Sequence, residues 1–190
     1  MEAAVDEGSM ERIRELWGRW GCFATLGLVG LLLLFGIWRV KRDNTPLVGA
    51  DVRSVAFLDA EGRRHTLAEF AGKVVVVDVW ATWCPPCQAS LPELAKLQSE
   101  AGNRYVVLPI SIDEGGFADV NAYLSRHPTQ IKAFVPVNRG ALDSFGPISG
   151  IPTTIIVDEQ GKLRTRWSGY ASGRTESELK AALAGGAVRK

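Results

Sequence analysis

The chain has 190 residues, 46% hydrophobic and 23% charged, enough apolar material for a buried core and too much for a disordered chain. At roughly 150 residues per domain the length allows one ordinary domain with a modest appendage and excludes two full catalytic domains. Its 22 basic residues against 21 acidic ones leave a formal charge of +1, with no basic stripe of the kind that nucleic acid requires. Nucleic acid is therefore not an expected partner.

From Trp20 to Trp38 the chain runs nineteen residues without a charge. A helix of that length spans about 28 Å, close to a bilayer core of roughly 30 Å. Trp17, Trp20 and Trp38 fall where amphipathic rings favour the headgroup layer, and Arg19, Arg39, Lys41 and Arg42 bracket the run. A buried globular helix of this length would carry a polar face. A cleaved signal peptide would need a small-residue site after the run, where Trp38-Arg39-Val40-Lys41-Arg42 offers none. The expectation is an uncleaved anchor at 20–38 in contact with the lipid bilayer. Its orientation is not decided by charge, since Arg12, Arg14 and Arg19 on one side balance Arg39, Lys41 and Arg42 on the other. Cys22, at the membrane boundary, is assigned no function.

Residues 39–46, ending in Asp43-Asn44-Thr45-Pro46, read as a linker into a domain at 47–190. Val55–Leu58 and Arg64–Leu67, around Asp59-Ala60-Glu61-Gly62, predict a small hairpin followed by a helical turn at Leu67–Phe70. Val74–Trp80 is a near-continuous apolar run, as a parallel strand covered on both faces demands. Gln88–Ala101 carries Leu91, Leu94 and Leu97 at helical spacing, with Pro92 expected to kink it. A buried strand at Tyr105–Ile112, a helix at Phe117–Ser125, a short strand at Phe134–Asn138 and a short helix at Ala141–Phe145 follow. A hairpin pairs Thr153–Asp158 with Leu163–Ser168, and Thr175–Glu178 reads as a capping box opening a terminal helix to about Leu183. Strands alternating with helices before a closing hairpin make an α/β class with a mixed sheet.

Trp83-Cys84-Pro85-Pro86-Cys87 stands between the apolar strand and the helix, which predicts Cys84 at the N-cap and Cys87 one turn in. Unpaired N–H groups and the helix dipole stabilise a thiolate there, so Cys84 is the expected nucleophile and the less accessible Cys87 the resolving thiol. Pro85 and Pro86 lack N–H groups, which makes that stabilisation moderate and favours a reductant. Half a zinc site is the competing reading of the pair, but only His65 and His127 could add ligands and no second cysteine pair exists. No metal or other cofactor is expected, and both histidines read as surface or loop residues. Asp78, a carboxylate inside an apolar strand, is costly to bury and would titrate high, as suits a general base for the Cys87 proton; placement at an exposed strand end is the alternative.

Val76-Val77-Asp78-Val79-Trp80-Ala81-Thr82-Trp83-Cys84-Pro85-Pro86-Cys87 resembles the active-site segment of thioredoxin-fold proteins. Pro92 matches that family's helix kink, and Gly150-Ile151-Pro152-Thr153 resembles the loop whose proline is cis and packs against the disulfide. The resemblance, from about Val48 to Leu183, implies a Cys84–Cys87 disulfide, a cis peptide at Pro152, and substrate recognition by Trp83 and the backbone at Ile151 and Pro152. With the anchor, the hairpin and an added helix and strand between Gly116 and Asn138, the chain is similar to the TlpA/ResA group. That likeness implies an anchored bacterial thiol-disulfide oxidoreductase whose domain faces the periplasm or cell exterior, with 1–19 cytoplasmic. It also implies disulfide-bearing protein substrates, such as apocytochrome c, and a membrane-embedded electron donor. Two positions depart from the pattern: Ser90 stands where many ResA-like proteins have an acid, and Asp78 where many have Asn. The lysine that accompanies the buried acid in thioredoxin would fall near Pro109. A thiol peroxidase is disfavoured by Val77 and Ala81, where that chemistry wants Pro and Thr; a Cu(I)-handling or docking module would use the two cysteines as soft ligands.

Overall fold

A computed structural model describes residues 47–185. The expected N-terminal segment 1–19, anchor 20–38 and linker 39–46 lie outside the described residues, among which no helix is long and apolar enough to cross a membrane.

A hairpin of β1 (Ala56–Leu58) and β2 (Arg64–Thr66) opens the fold, with Ala56 opposite Thr66, and a 3-10 turn follows at Leu67–Phe70. There the Thr66 N–H donates to Glu69 Oε1 at 2.8 Å, a local satisfaction of the first turn. Next come β3 (Val74–Trp80), α1 (Pro85–Glu100), β4 (Tyr105–Ser111), α2 (Phe117–Arg126), β5 (Val135–Pro136) and a 3-10 segment at Arg139–Phe145. The chain closes with β6 (Thr153–Val157), β7 (Leu163–Ser168) and α3 (Arg174–Leu183).

The main sheet has the order β4-β3-β6-β7, with β3 parallel to β4 and antiparallel to β6. It is the mixed sheet expected. Every residue of β3 is buried because both faces are covered. Successive side chains alternate between faces: Val74, Val76 and Trp80 pack with Leu91, Leu94 and Leu97 of α1 and Leu179 of α3. Val75, Val77 and Val79 pack instead with Phe57, Leu142 and Phe145. At roughly 1.5 kcal/mol or more for each fully buried valine, this strand anchors both layers.

Several expectations need correction. A second sheet, β2-β1-β5, forms when β5 returns from the central insertion to pair Leu58 with Val135 and Phe57 with Pro136. Pro136 is tolerated because β5 is an edge strand. The first long helix begins at Pro85, as the expected N-cap at Cys84 requires, since prolines at its first two positions lose no helical hydrogen bond, and Pro92 lies inside it before it ends at Glu100. The short helix expected at Ala141–Phe145 is a 3-10 segment that begins two residues earlier, at Arg139. The terminal helix has Gly173 at its N-cap with φ 74°, so Thr175 lies inside the first turn and forms no capping box; the left-handed backbone at Gly173 starts the helix two residues early.

Candidate active site

β3 delivers the chain to the helix start and stops at Trp80, leaving Ala81-Thr82-Trp83 as a short bridge. Cys84 takes the N-cap with extended backbone, Pro85 and Pro86 fill the next two positions, and Cys87 follows. The two sulfurs form a disulfide with Cα atoms 5.2 Å apart. Because the prolines have no N–H, the donor to the Cys84 sulfur from this turn is Cys87 N–H, at 3.2 Å. Cys84 is more enclosed than its helix-start position suggested: 4% exposed against 0% for Cys87. Trp83 beside it is 66% exposed. Across the disulfide, the Ile151 carbonyl oxygen lies 3.7 Å from Cys84 Sγ, and the Ile151–Pro152 peptide is cis. Pro152 is itself held by Gly169 N–H, which donates to its carbonyl at 2.8 Å. Cys84, Cys87, Pro85, Pro86, Ile151 and Pro152 therefore converge, with Trp83 as the exposed flank.

Asp113, just past β4, fixes the bridge. Its carboxylate accepts from Thr82 N–H at 2.9 Å, Thr82 Oγ1 at 2.8 Å and Ser111 Oγ at 2.6 Å, all at a buried position. From the helix side, Gln88 Nε2 donates to the Thr82 carbonyl at 2.6 Å. These contacts hold both ends of the turn that presents Trp83 and Cys84. Nothing in the sequence pointed to Asp113, which is 31 residues from Thr82.

Asp78 is 1% exposed, which excludes the exposed-strand-end alternative. By the alternation along β3 it shares the face of Val76 and Trp80, the layer that contains Cys87. The Thr154 hydroxyl donates to its Oδ1 at 2.7 Å, whereas Oδ2 is buried with no partner. Burial pushes the carboxyl from 3.8 to about 7, the Thr154 hydrogen bond working against the rise and the nearby Glu93 charge adding to it. Glu93, on α1, was not singled out from the sequence. Its Oε2 accepts from Gly173 N–H at 3.1 Å and Tyr170 Oη at 3.4 Å, partners 80 and 77 residues away that no local pattern announces. Ser90 is buried and turns its hydroxyl onto the Cys87 carbonyl at 2.8 Å.

The histidines stand apart. His65 is not a plain surface residue: it lies between Asp59 (3.0 Å) and Glu69 (2.8 Å), whose hydrogen bonds raise its pKa. His127 stacks on Tyr123 with ring centroids 4.4 Å apart. Among the described residues no group of three or more His, Cys, Asp or Glu could hold a metal ion.

With this geometry in place, the profile of the Redoxin family matches residues 47–183, nearly the whole described unit. The chain belongs to the Redoxin family. ResA thiol-disulfide oxidoreductases are its relatives: that of Halalkalibacterium halodurans is 26% identical over 157 residues, covering 81% of this chain and 86% of the relative. The Bacillus subtilis ResA is 26% identical over 116 residues, covering 60% and 64%. Among solved structures, the exposed lipoprotein thioredoxin Etrx1 of Streptococcus pneumoniae superposes with a TM-score of 0.58 at 26% identity, over 67% of this chain and 96% of that one. A thiol:disulfide interchange protein of Chlorobium tepidum gives a TM-score of 0.60 at 24% identity, over 71% and 97%, a likeness of fold. This Redoxin member is a thioredoxin-like disulfide oxidoreductase of ResA type, with Cys84 and Cys87 as its Cys-x-x-Cys pair.

Proposed function

We propose that the protein is a membrane-anchored reductant of disulfides in protein substrates outside the cytoplasm. The observation that carries the direction of electron flow is the helix start at Cys84, where two consecutive prolines leave the Cys87 N–H as the donor to the sulfur. A thiolate so sparsely supported is stabilised moderately, which keeps the dithiol form reactive as a reductant.

In the reduced enzyme the Cys84 thiolate attacks one sulfur of a substrate disulfide, forming a mixed disulfide and releasing the other sulfur as a thiolate. Asp78, uncharged at low pH and ionised above neutrality, takes the proton of Cys87. The Cys87 thiolate then attacks Cys84 Sγ, which re-forms the Cys84–Cys87 bond and expels the second substrate thiolate. Two electrons pass to the substrate, and a membrane-embedded dithiol donor of thioredoxin-reducing type restores the enzyme. Exposed Trp83 and the carbonyl of Ile151 flank the reacting sulfur and present an apolar face and a backbone acceptor to an extended substrate segment.

The charge-free run 20–38 supports the anchor, and the likeness to the TlpA/ResA group supports a domain facing the periplasm or cell exterior with 1–19 cytoplasmic. Disulfides in apocytochrome c, in a copper-site assembly protein or in a disulfide isomerase are each compatible with this reading, because recognition would use Trp83 and backbone groups at Ile151 more than a side-chain code. Turnover of a disulfide-bearing protein with a dithiol donor tests the reading: catalysis lost in Cys84→Ser is expected. Peroxide consumption at a comparable rate, or stoichiometric Cu(I) binding without turnover, would replace it with the peroxidase or the metal-handling reading.

A further inference from the structure

The segment Gly146–Pro152, which brings the Ile151 carbonyl to the Cys84 sulfur, has no regular structure. Among the described residues, no backbone N–H from Ile148 to Ile151 donates to another backbone carbonyl. The segment is tied down mainly from β7 instead. Arg166 of β7 spreads its guanidinium across Gly146: Nη1 donates to the Phe145 carbonyl at 2.6 Å and Nη2 to the Pro147 carbonyl at 2.7 Å. A Cβ on Gly146 would stand 3.1 Å from Nη1 and run into the Leu47 side chain, and its φ of 79° favours glycine, so this residue leaves room for the fork. Ser168, two residues on and on the same face of β7, places its Oγ 2.8 Å from Thr153 Oγ1, which donates to the Gly150 carbonyl. Gly169 N–H holds the Pro152 carbonyl. One edge strand thus secures both ends of the loop, and Arg166 is the group that secures its start.

We propose that Arg166 is a positioning residue for substrate recognition: by gripping the two carbonyls that flank Gly146 it sets the course of the cis-proline loop and so the place of the Ile151 backbone beside Cys84. This deepens the proposed function and rests on its reading of the Ile151 carbonyl as the acceptor for an extended substrate segment. A guanidinium is suited to the task because its donors lie in one plane and reach two acceptors at fixed directions. An ammonium group is a point donor without that plane. When the grip is lost, the loop can turn about Gly146 and Gly150, and the acceptor is no longer preorganised when a substrate arrives. The loss falls on substrates that use the backbone acceptor, and less on those that offer a disulfide alone.

The test uses the reduced full-length protein and two mixed disulfides that share a leaving group, nitrothiobenzoate. One joins it to the single cysteine of an extended peptide, the other to mercaptoethanol. With either probe the Cys84 thiolate bonds to the peptide or mercaptoethanol sulfur, and the coloured nitrothiobenzoate leaves with the electron pair of the broken bond. The ratio of the two second-order rate constants, peptide over mercaptoethanol, reports what the substrate backbone contributes. Arg166→Met, which keeps much of the side chain's bulk without its donors, is expected to lower that ratio about tenfold, and Arg166→Lys about threefold. The lysine variant keeps the charge and a donor, and it decides the matter if Arg166→Met does not fold. Gln98→Ala removes side-chain bonds to the Val107 and Lys132 carbonyls, contacts outside this loop, and its ratio should match the parent's. A ratio unchanged in the Arg166 variants, or lowered as much in Gln98→Ala, would overturn the proposal while leaving Ile151 as the acceptor. A parent that attacks the peptide no faster than mercaptoethanol would overturn the reading of Ile151 and the proposal with it.

Discussion

Asp78 faces Pro109 across the parallel β3–β4 pair. The neighbouring strand therefore supplies no N–H and no ammonium group at the register position beside the buried acid, and the hydroxyl of Thr154 is its hydrogen-bond donor. The absence of a compensating cation at this position makes burial the dominant influence on the carboxyl, with a consequence for stability.

Between 3.8 and about 7 the native state binds a proton at Asp78 that the unfolded chain has already lost. Stability contributed by the protonated, buried acid is thus present below about pH 4 and lost as pH rises through 7. Asp78→Asn should stabilise the oxidised protein at pH 8 by an amount on the order of 4 kcal/mol and change it little at pH 4, measured by denaturant unfolding. His65, raised by its bonds to Asp59 and Glu69, adds a slope of the same sign that the substitution leaves in place. A parent stability that rises between pH 5 and 8 would contradict the assignment.

Asp113 braces the active-site turn through both carboxylate oxygens. Asp113→Asn replaces one acceptor oxygen by a donor facing the Thr82 or Ser111 donors, so a loss of about 1–3 kcal/mol is expected. In a double-mutant cycle with Thr82→Val, unfolding free energies should show coupling of about 1 kcal/mol. Strict additivity would remove the brace from the account.

Much of the site was legible because its signals are local. An apolar run broken by Asp78, followed by two cysteines spaced one helical turn apart, specifies a strand, an N-cap and a buried acid in a dozen residues. Pro152 needed the family resemblance, since no local pattern marks a cis bond. What escaped reading depends on distant partners: Glu93 on Tyr170 and Gly173, Asp113 on Thr82, and the pairing, though not the existence, of β5 with β1. The Thr175 capping box failed for a different reason. A glycine that adopts left-handed backbone at 173 can start a helix without any side-chain cap, and sequence pattern ranks the side-chain cap first.

Cys84 and Cys87 are assigned different roles on position at the helix start, although their exposures differ by little. Cys87→Ser should accumulate mixed disulfides with protein substrates, visible as thiol-sensitive high-mass species on non-reducing gels, and Cys84→Ser should not. The reverse pattern would exchange the roles.

The proposed orientation has a direct consequence for fusion proteins. A reporter joined after Lys190 that functions only outside the cytoplasm should be active in cells, and a reporter that functions only inside should be silent. The opposite pair of results would put the domain in the cytoplasm and remove the extracytoplasmic substrates from consideration.

The reduction potential of the Cys84–Cys87 pair bears most directly on the claim that the protein is a reductant. A strong oxidant near −120 mV requires a heavily stabilised thiolate, whereas thioredoxin lies at about −270 mV, a difference of roughly 7 kcal/mol for a two-electron couple. With Pro85 and Pro86 withholding two N–H groups and the Ile151 carbonyl, an acceptor, 3.7 Å from the Cys84 sulfur, the thiolate here is not so stabilised. Equilibration with glutathione or dithiothreitol buffers, quantified by thiol alkylation, should give a value near −270 mV; a value above about −180 mV would reverse the direction of electron flow.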